Sequence, residues 1–339
     1  MLSRVADSIY WLNRYIERAE NVARFVEVNL NLLMDNPVGV AQQWDPLIAV
    51  TGDRTLFNER YDQATAERVL DFLTFDTTSP NSIRSCVRAA RENARSVRET
   101  ISSEMWEQVN AFYLQVEDAA KEKDSRDSYE FYSEVKMASH RFAGVMDATL
   151  SWNESWQFGQ LGRMLERADK TARILDVKYF LLLPTVQEVG TPLDNLQWIA
   201  LLKSASAYEM YRKTEQMISP AGVAKFLILD GHFPRSIKFC LKWAEDSLGQ
   251  ISGFSGNSPV SSQRALGRLR AQMEYTTLDE IFQQGLHEFL DQLQLQLNQV
   301  GECVYTDFIA LPESMNPPKS PPMSQKQTMG PTMATSTPS

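Results

Sequence analysis

Two stretches of this chain place apolar side chains at the same alternating three-and-four spacing, and that repetition restricts the fold more than any other feature. Ile9, Leu12, Ile16, Ala19, Ala23, Val26, Leu30 and Leu33 form the first set. Phe158, Leu161, Leu165, Ala168, Ala172, Leu175, Tyr179 and Leu182 follow one for one, each 149 positions later. Helical residues three and four apart share a face, so each set predicts a long amphipathic helix with a coiled-coil-like seam. The polar face repeats as well. Arg14-Tyr15-Ile16-Glu17-Arg18-Ala19-Glu20-Asn21-Val22-Ala23-Arg24 aligns with Arg163-Met164-Leu165-Glu166-Arg167-Ala168-Asp169-Lys170-Thr171-Ala172-Arg173, and only Asn21 against Lys170 breaks the charge pattern.

A second block repeats in the same order. Phe72-Leu73-x-x-Asp76-x-x-x-Pro80-x-Ser82-Ile83-x-x-Cys86 returns as Phe226-Leu227-x-x-Asp230-x-x-x-Pro234-x-Ser236-Ile237-x-x-Cys240, shifted by 154, and Trp44 and Trp198 match at that shift. The five-residue difference between offsets is an ordinary loop insertion, so the pattern indicates internal duplication. The expected fold class is all-α: a helical bundle of two duplicated helical units with pseudo-two-fold symmetry, since each unit's apolar face needs a partner and the other copy supplies one. Residues 1–150 would form the first repeat, and 151–311 the second, packed on the first as one globular body. In each half, a long helix, short helices and another long helix are expected.

Turn signals separate these helices at Asn36-Pro37-Val38-Gly39, Thr77-Thr78-Ser79-Pro80, Pro184, Gly190-Thr191-Pro192, Gly231-His232-Phe233-Pro234 and from Gly253 to Pro259. Ser79-Pro80 and Thr191-Pro192 each set a capping residue before a proline, Thr277-Leu278-Asp279-Glu280 has capping-box spacing, and all three should open helices. Asp76 and Asp230 are suited to turn or cap hydrogen bonds. Residues 312–339 are rich in Pro, Met, Ser, Thr and Gln with almost no aliphatic side chains, and are expected to be a disordered tail.

Composition excludes several functions. The 43% of hydrophobic residues can fill a sizeable core, while a net charge of -9 opposes a nucleic-acid footprint. Arg14, Glu17 and Arg18 interrupt the start before a leader-length apolar run, and no later run reaches the roughly 18 residues of a membrane span. Three cysteines without C-x-x-C spacing suggest neither a disulfide framework nor zinc, which fits a reducing, cytoplasmic setting. A di-iron bundle needs Glu-x-x-His, and His140, His232 and His287 each lack a glutamate three residues upstream. With no phosphate-binding loop either, no metal and no cofactor are expected. Cys86 and Cys240 suit small buried hydrophobes, and His232 a core or turn position. The charged run Lys121 to Asp127, followed by Tyr129, Phe131 and Tyr132, is the first candidate for a partner-facing edge.

The Glu-Arg repeat is the candidate site: Arg14, Glu17, Arg18, Glu20 and Arg24 in the first copy, Arg163, Glu166, Arg167, Asp169 and Arg173 in the second. Consecutive helical residues diverge by about 100°, so Glu17 and Arg18 cannot pair with each other, whereas Arg14 with Glu17 and Glu20 with Arg24 have usable spacing. Trp11 and Phe25 lie a heptad before and after Arg18, so its guanidinium should cross apolar surface to a carboxylate elsewhere, including the other repeat. Shielded charges need partners, which favours a structural ion-pair network. An Arg and Glu cleft for a carboxylate- or phosphate-bearing ligand, and a solvated charged face, remain open beside it.

Glu17-Arg18 and Glu166-Arg167, each within an R-x-x-E-R-A-[ED] helix, resemble the alpha-E family of bacterial helical proteins. The opening Met-Leu-Ser-Arg-Val-Ala-Asp-Ser-Ile-Tyr-Trp is similar to the family's usual start, and the likeness runs to about Leu311. The resemblance implies an association with circularly permuted ATP-grasp proteins and with transglutaminase-like proteins in a peptide or amide-bond system. It therefore implies a non-catalytic helical partner or scaffold subunit of such a ligase system. The alternatives are an enzyme that uses its Arg and Glu clusters on an amino-acid or peptide substrate, and a stand-alone structural bundle. Protein partners are expected rather than nucleic acid or membrane, and homo-oligomerisation is left open.

Overall fold

The computed structural model describes residues 1–35, 44–122, 128–181, 192–215, 217–255 and 260–310, and all regular structure among them is helical. The chain opens with α1 (Ser3–Asp35), the short helices α2 (Asp45–Thr51), α3 (Arg54–Asn58) and α4 (Ala66–Thr74), then α5 (Ile83–Ser96), α6 (Ser103–Lys121) and α7 (Ser128–Thr149). Next come α8 (Glu154–Leu181), the shorter α9 (Pro192–Ser204), α10 (Tyr208–Thr214) and α11 (Pro220–Leu229), and α12 (Ile237–Ser255). α13 (Ser261–Tyr275), α14 (Leu278–Gln284) and α15 (Leu286–Val304) follow, and a π-helical turn, Tyr305–Ile309, closes the described chain.

The seam residues bury as their spacing requires. Ile9, Leu12, Ile16, Ala19, Ala23 and Val26 line α1, and Phe158, Leu161, Leu165, Ala168, Ala172 and Leu175 line α8, all of them buried. Burying each large aliphatic side chain contributes about 1.5–3 kcal/mol, so these stripes set which helices meet. α1 packs directly on α8, α5 packs on α1, and α12 on α8. Around this row, α6 bridges α5 and α7 beside α1, while α13 bridges α12 and α15 beside α8. Two glycines bring the central pair close. A Cβ on Gly162 would lie 2.4 Å from the Tyr10 backbone carbonyl, and one on Gly159 would lie 2.6 Å from Asn13 Nδ2.

The segments before α5 and α12 are built alike. Asp76 Oδ1 accepts from the Thr78 amide, and Asp230 Oδ1 accepts from the His232 and Phe233 amides, so both aspartates form side-chain turns. The Ser82 and Ser236 hydroxyls donate to the carbonyls of Asp76 and Asp230. This corrects one expected helix start. Ser79-Pro80 stays in the turn, and α5 begins at Ile83 because Ser82 accepts from the Ser85 amide and caps it. The capping box of Thr277 and Glu280 opens α14 as expected.

Other expectations are altered by packing. Gly253 is helical, because α12 runs on to Ser255. Phe131 and Tyr132 are buried, Tyr132 hydrogen-bonding Thr74 at 2.8 Å, so of the suggested aromatic edge only Tyr129 is exposed. The tail 312–339, residues 36–43, 123–127, 182–191 and 256–259, and the side chains of Leu33 and Tyr179 lie outside the described residues. Among the described residues, no helix is long and apolar enough to cross a membrane.

Candidate functional site

The facing polar stripes of α1 and α8 meet at the centre of the helix row, where the two Glu-Arg motifs exchange partners. Arg18 crosses from α1 and donates Nε to Glu166 Oε1 at 2.7 Å and Nη2 to Oε2 at 3.0 Å. Arg167 crosses the other way, donating Nε to Glu17 Oε1 at 2.9 Å and Nη2 to Oε2 at 2.7 Å. Both contacts are two-pronged, the geometry in which guanidinium and carboxylate bind most strongly. Glu17 and Glu166 are 2% and 0% exposed, so neither carboxylate meets solvent.

Each buried glutamate gains further donors. Arg14 adds Nε to Glu166 at 2.8 Å, and Lys170 lies 3.7 Å from it. The Arg14–Glu17 pair that spacing permits therefore does not form; Arg14 lies over the Trp11 ring, 4.8 Å from its centroid, and reaches across to α8. Tyr15, rather than Trp11 or Phe25, covers Arg18, whose third nitrogen, Nη1, donates to Asn81 Oδ1 at 2.7 Å. Asn81 in turn donates to both carboxylate oxygens of Asp53.

Arg235, in the turn before α12, supplies the second ligand of Glu17 at 2.9 Å, bonds Asn21 at 3.1 Å and also reaches Glu20. Arg24 grips Glu20 one turn away, with Nε at 2.9 Å and Nη2 at 2.6 Å, as the i,i+4 spacing predicts. Ser139 and His140 of α7 complete the Glu20 site at 2.6 and 3.1 Å. On α8 the corresponding carboxylate, Asp169, is held by Lys170 at 3.1 Å and by Arg173 Nε at 2.9 Å. Arg163 alone leaves the cluster: it bonds Gln160 at 3.0 Å and approaches Asp147 at 3.5 Å.

Burial by itself would raise these carboxyl pKa values, yet the guanidiniums reverse the sign. Glu17 is lowered chiefly by Arg167 and Arg235, Glu20 by Arg235 and its His140 hydrogen bond, and Glu166 by Arg18 and Arg14. Asp169 is lowered by Lys170 and Arg173. The cluster is thus a set of fixed charges, with no carboxyl tuned toward neutral pH for proton transfer. Burial pushes the Cys86 and Cys240 thiols up to about 12, which removes the thiolate a nucleophile would need. Among the described residues, no three His, Cys, Asp or Glu side chains are placed to hold a metal ion.

Arg235, Asn81, Lys170, Ser139 and His140 are members that motif reading does not single out. Asn81 and Arg235 occupy the variable position between the repeated proline and serine, so the shared block marks their place while their differing identities hide their role.

Residues 1–309 match the Alpha-E family, described as a predicted alpha-helical domain with a conserved ER motif. The chain belongs to the Alpha-E family. Glu17-Arg18 and Glu166-Arg167, whose side chains exchange partners between α1 and α8, are two of the Glu-Arg sequences within the matched residues. Uncharacterized proteins of Mycobacterium tuberculosis and Mycobacterium bovis are each 24% identical over 344 residues, covering 93% of this chain and 38% of the relative. This Alpha-E chain therefore spans well under half the length of the curated relatives it matches. No solved structure matches it significantly.

Proposed function

We propose that this Alpha-E protein is a non-catalytic helical partner or scaffold subunit of a bacterial ATP-grasp-type peptide or amide ligase system, acting in the cytoplasm, with a transglutaminase-like protein as a further candidate partner. The observation that carries the non-catalytic part is the saturation of Glu17 and Glu166: both are buried, and both are filled by guanidiniums from the facing helix. Such groups hold a shape and do not turn over a substrate. The ligase partner is suggested by the family likeness, and the longer relatives are consistent with a unit that works beside further protein.

The same reading takes residues 1–150 and 151–311 as duplicated units about a pseudo-two-fold axis. The like order of long and short helices, the swapped ion pairs and the matching turns before α5 and α12 support it. An experimental structure in which the two halves fail to superpose would overturn it.

One observation favours an enzyme or ligand-binding reading. Among the described residues, the five carboxylates Glu17, Glu20, Asp53, Glu166 and Asp169 face seven cations, Arg14, Arg18, Arg24, Arg167, Lys170, Arg173 and Arg235, a surplus of positive charge that a carboxylate-bearing substrate could offset. Purified chain, a candidate ATP-grasp protein and their mixture, assayed for ATP-dependent amide formation, separate the two. The scaffold reading expects complex formation and activity only with the ATP-grasp protein present. Turnover of an amino acid or peptide by this chain alone would reject it.

A further inference from the structure

Away from the central cluster, α5 carries a row of arginines. Arg84, Arg88, Arg91 and Arg95 recur four, three and four residues apart, and Arg98 continues the row on the turn that follows. That spacing lays the four helical positions on one face over about 16 Å, at 1.5 Å per residue. The neighbouring face of α5, about 100° around the helix through Ile83, Cys86, Val87, Ala90 and Ala94, is buried against the core.

The row rests on a floor supplied by α6. Arg91 lies 4.7 Å from the Tyr113 ring centroid and 5.6 Å from that of Trp106, Arg98 lies 4.8 Å from Trp106, and Arg91 Nε donates to Asn110 at 2.8 Å. These contacts fix otherwise flexible guanidiniums, so less rotamer entropy is lost when they bind an anion. At one end the row already holds a carboxylate: Arg84 donates Nε and Nη2 to Glu117, both at 2.8 Å. Arg91 and Arg95 share Glu92. Arg88 and Arg98, both exposed, form no ion pair within 4 Å among the described residues, Arg88 acting on Glu117 only at longer range.

We propose that this arginine row is a docking surface for an acidic peptide segment of a partner protein. The Arg84–Glu117 contact shows the carboxylate geometry the row accepts, and Arg88 and Arg98 provide the unfilled positions. The fold does not itself demand the row. The positions 154 residues later on α12 are Lys238, Lys242, Glu245, Gly249 and Ser252, which abandon the basic pattern after two residues while the helix continues. An acidic peptide suits the surface better than nucleic acid. Arginines already cover the aromatic rings that bases would stack on, whereas Arg84 already takes a carboxylate in a two-pronged contact.

Fluorescence anisotropy of the full chain with labelled decaglutamate at about 50 mM salt tests this directly, with decaglutamine and a ten-nucleotide oligothymidine alongside. Saturable decaglutamate binding is expected, weakening as salt rises. An Arg88→Gln/Arg98→Gln protein should lose roughly two- to thirtyfold in affinity while keeping its melting temperature, as the loss of two surface charge pairs predicts. Arg95→Gln, at an outward position, gives an independent variant with a smaller loss. Absence of saturable binding, equal binding by the double variant, or tighter binding of the oligothymidine would each overturn the proposal.

Discussion

Replacing Arg18 by alanine is the sharpest perturbation of the central cluster. Arg18 gives Glu166 two hydrogen bonds, at 2.7 and 3.0 Å, and gives Asn81 a third at 2.7 Å. Breaking a buried pair from one side typically costs about 3–5 kcal/mol, because the remaining charge stays desolvated. Glu166 would retain Arg14 at 2.8 Å and Lys170 at 3.7 Å, so the lower end, about 3 kcal/mol, is expected. At roughly 2 °C per kcal/mol for a large domain, the melting temperature should fall by about 6 °C. Circular dichroism melts of Arg18→Ala, Glu166→Leu and the double variant would measure it. The double variant should lose less than the sum of the singles, since Arg18 and Glu166 no longer strand one another, although Arg14 loses its carboxylate wherever Glu166 is replaced. An Arg18→Ala protein that melts within about 1 °C of the parent, yet no longer binds its partner, would refute the structural reading and favour a ligand site.

Further outcomes follow from the same geometry. Glu17, Glu20, Glu166 and Asp169 have folded pKa values below their unfolded ones, so the stability they contribute is present above pH about 4 and is lost as pH falls through the depressed values. Acid titration should show a steep unfolding step, taking up more than one proton, below about pH 4; a gradual single-proton transition would contradict it. In native protein an aromatic disulfide reagent should label Cys303 alone among the three thiols, because Cys86 and Cys240 are buried with pKa near 12; labelling of all three without denaturant would show that α5 or α12 opens readily. Gly162→Ala should lower the melting temperature by several degrees, because its Cβ would meet the Tyr10 carbonyl, while Gly249→Ala, with nothing within 4 Å, should not; equal melts would mean α1 and α8 are not in close contact.

Helical period exposes α1 and α8 because their seams alternate without interruption, and the shared Phe-Leu-Asp-Pro-Ser-Cys block marks the turns before α5 and α12. The crossing of Arg18 to a distant carboxylate also follows from sequence, since its immediate neighbour Glu17 points about 100° away. The destination does not. Arg14 reaches α8 while Arg163 turns back to Gln160, a difference that follows the local residue one turn earlier, Trp11 before Arg14 and Gln160 before Arg163, and is reinforced by Asp147 beside Arg163. Arg235 is hidden by distance: it lies 218 positions from Glu17 and bonds it only once α12 has docked on α8.

The swapped pairs also bear on why α1 and α8 meet in one register. Their seams offer Ala19 and Ala23 against Ala168 and Ala172, small and similar side chains over which a one-turn slip of about 5.4 Å would change little apolar area. The same slip would part both Arg–Glu contacts at once, leaving charges stranded in a dry interface, and would move Gly162 away from Tyr10. We therefore hypothesise that the network selects the register more than it adds net stability. Replacing both pairs with Glu17→Leu, Arg18→Met, Glu166→Leu and Arg167→Met, together with Arg14→Met so that no cation is stranded, should leave the melting temperature within a few degrees of the parent, because Arg235 keeps Glu20 and Lys170 keeps Asp169. The transition should broaden, and methyl NMR signals of Leu12 and Leu161 should split or blur as registers interconvert. A variant with sharp unfolding and single, well-dispersed methyl signals would show that the apolar seam and the glycines suffice on their own.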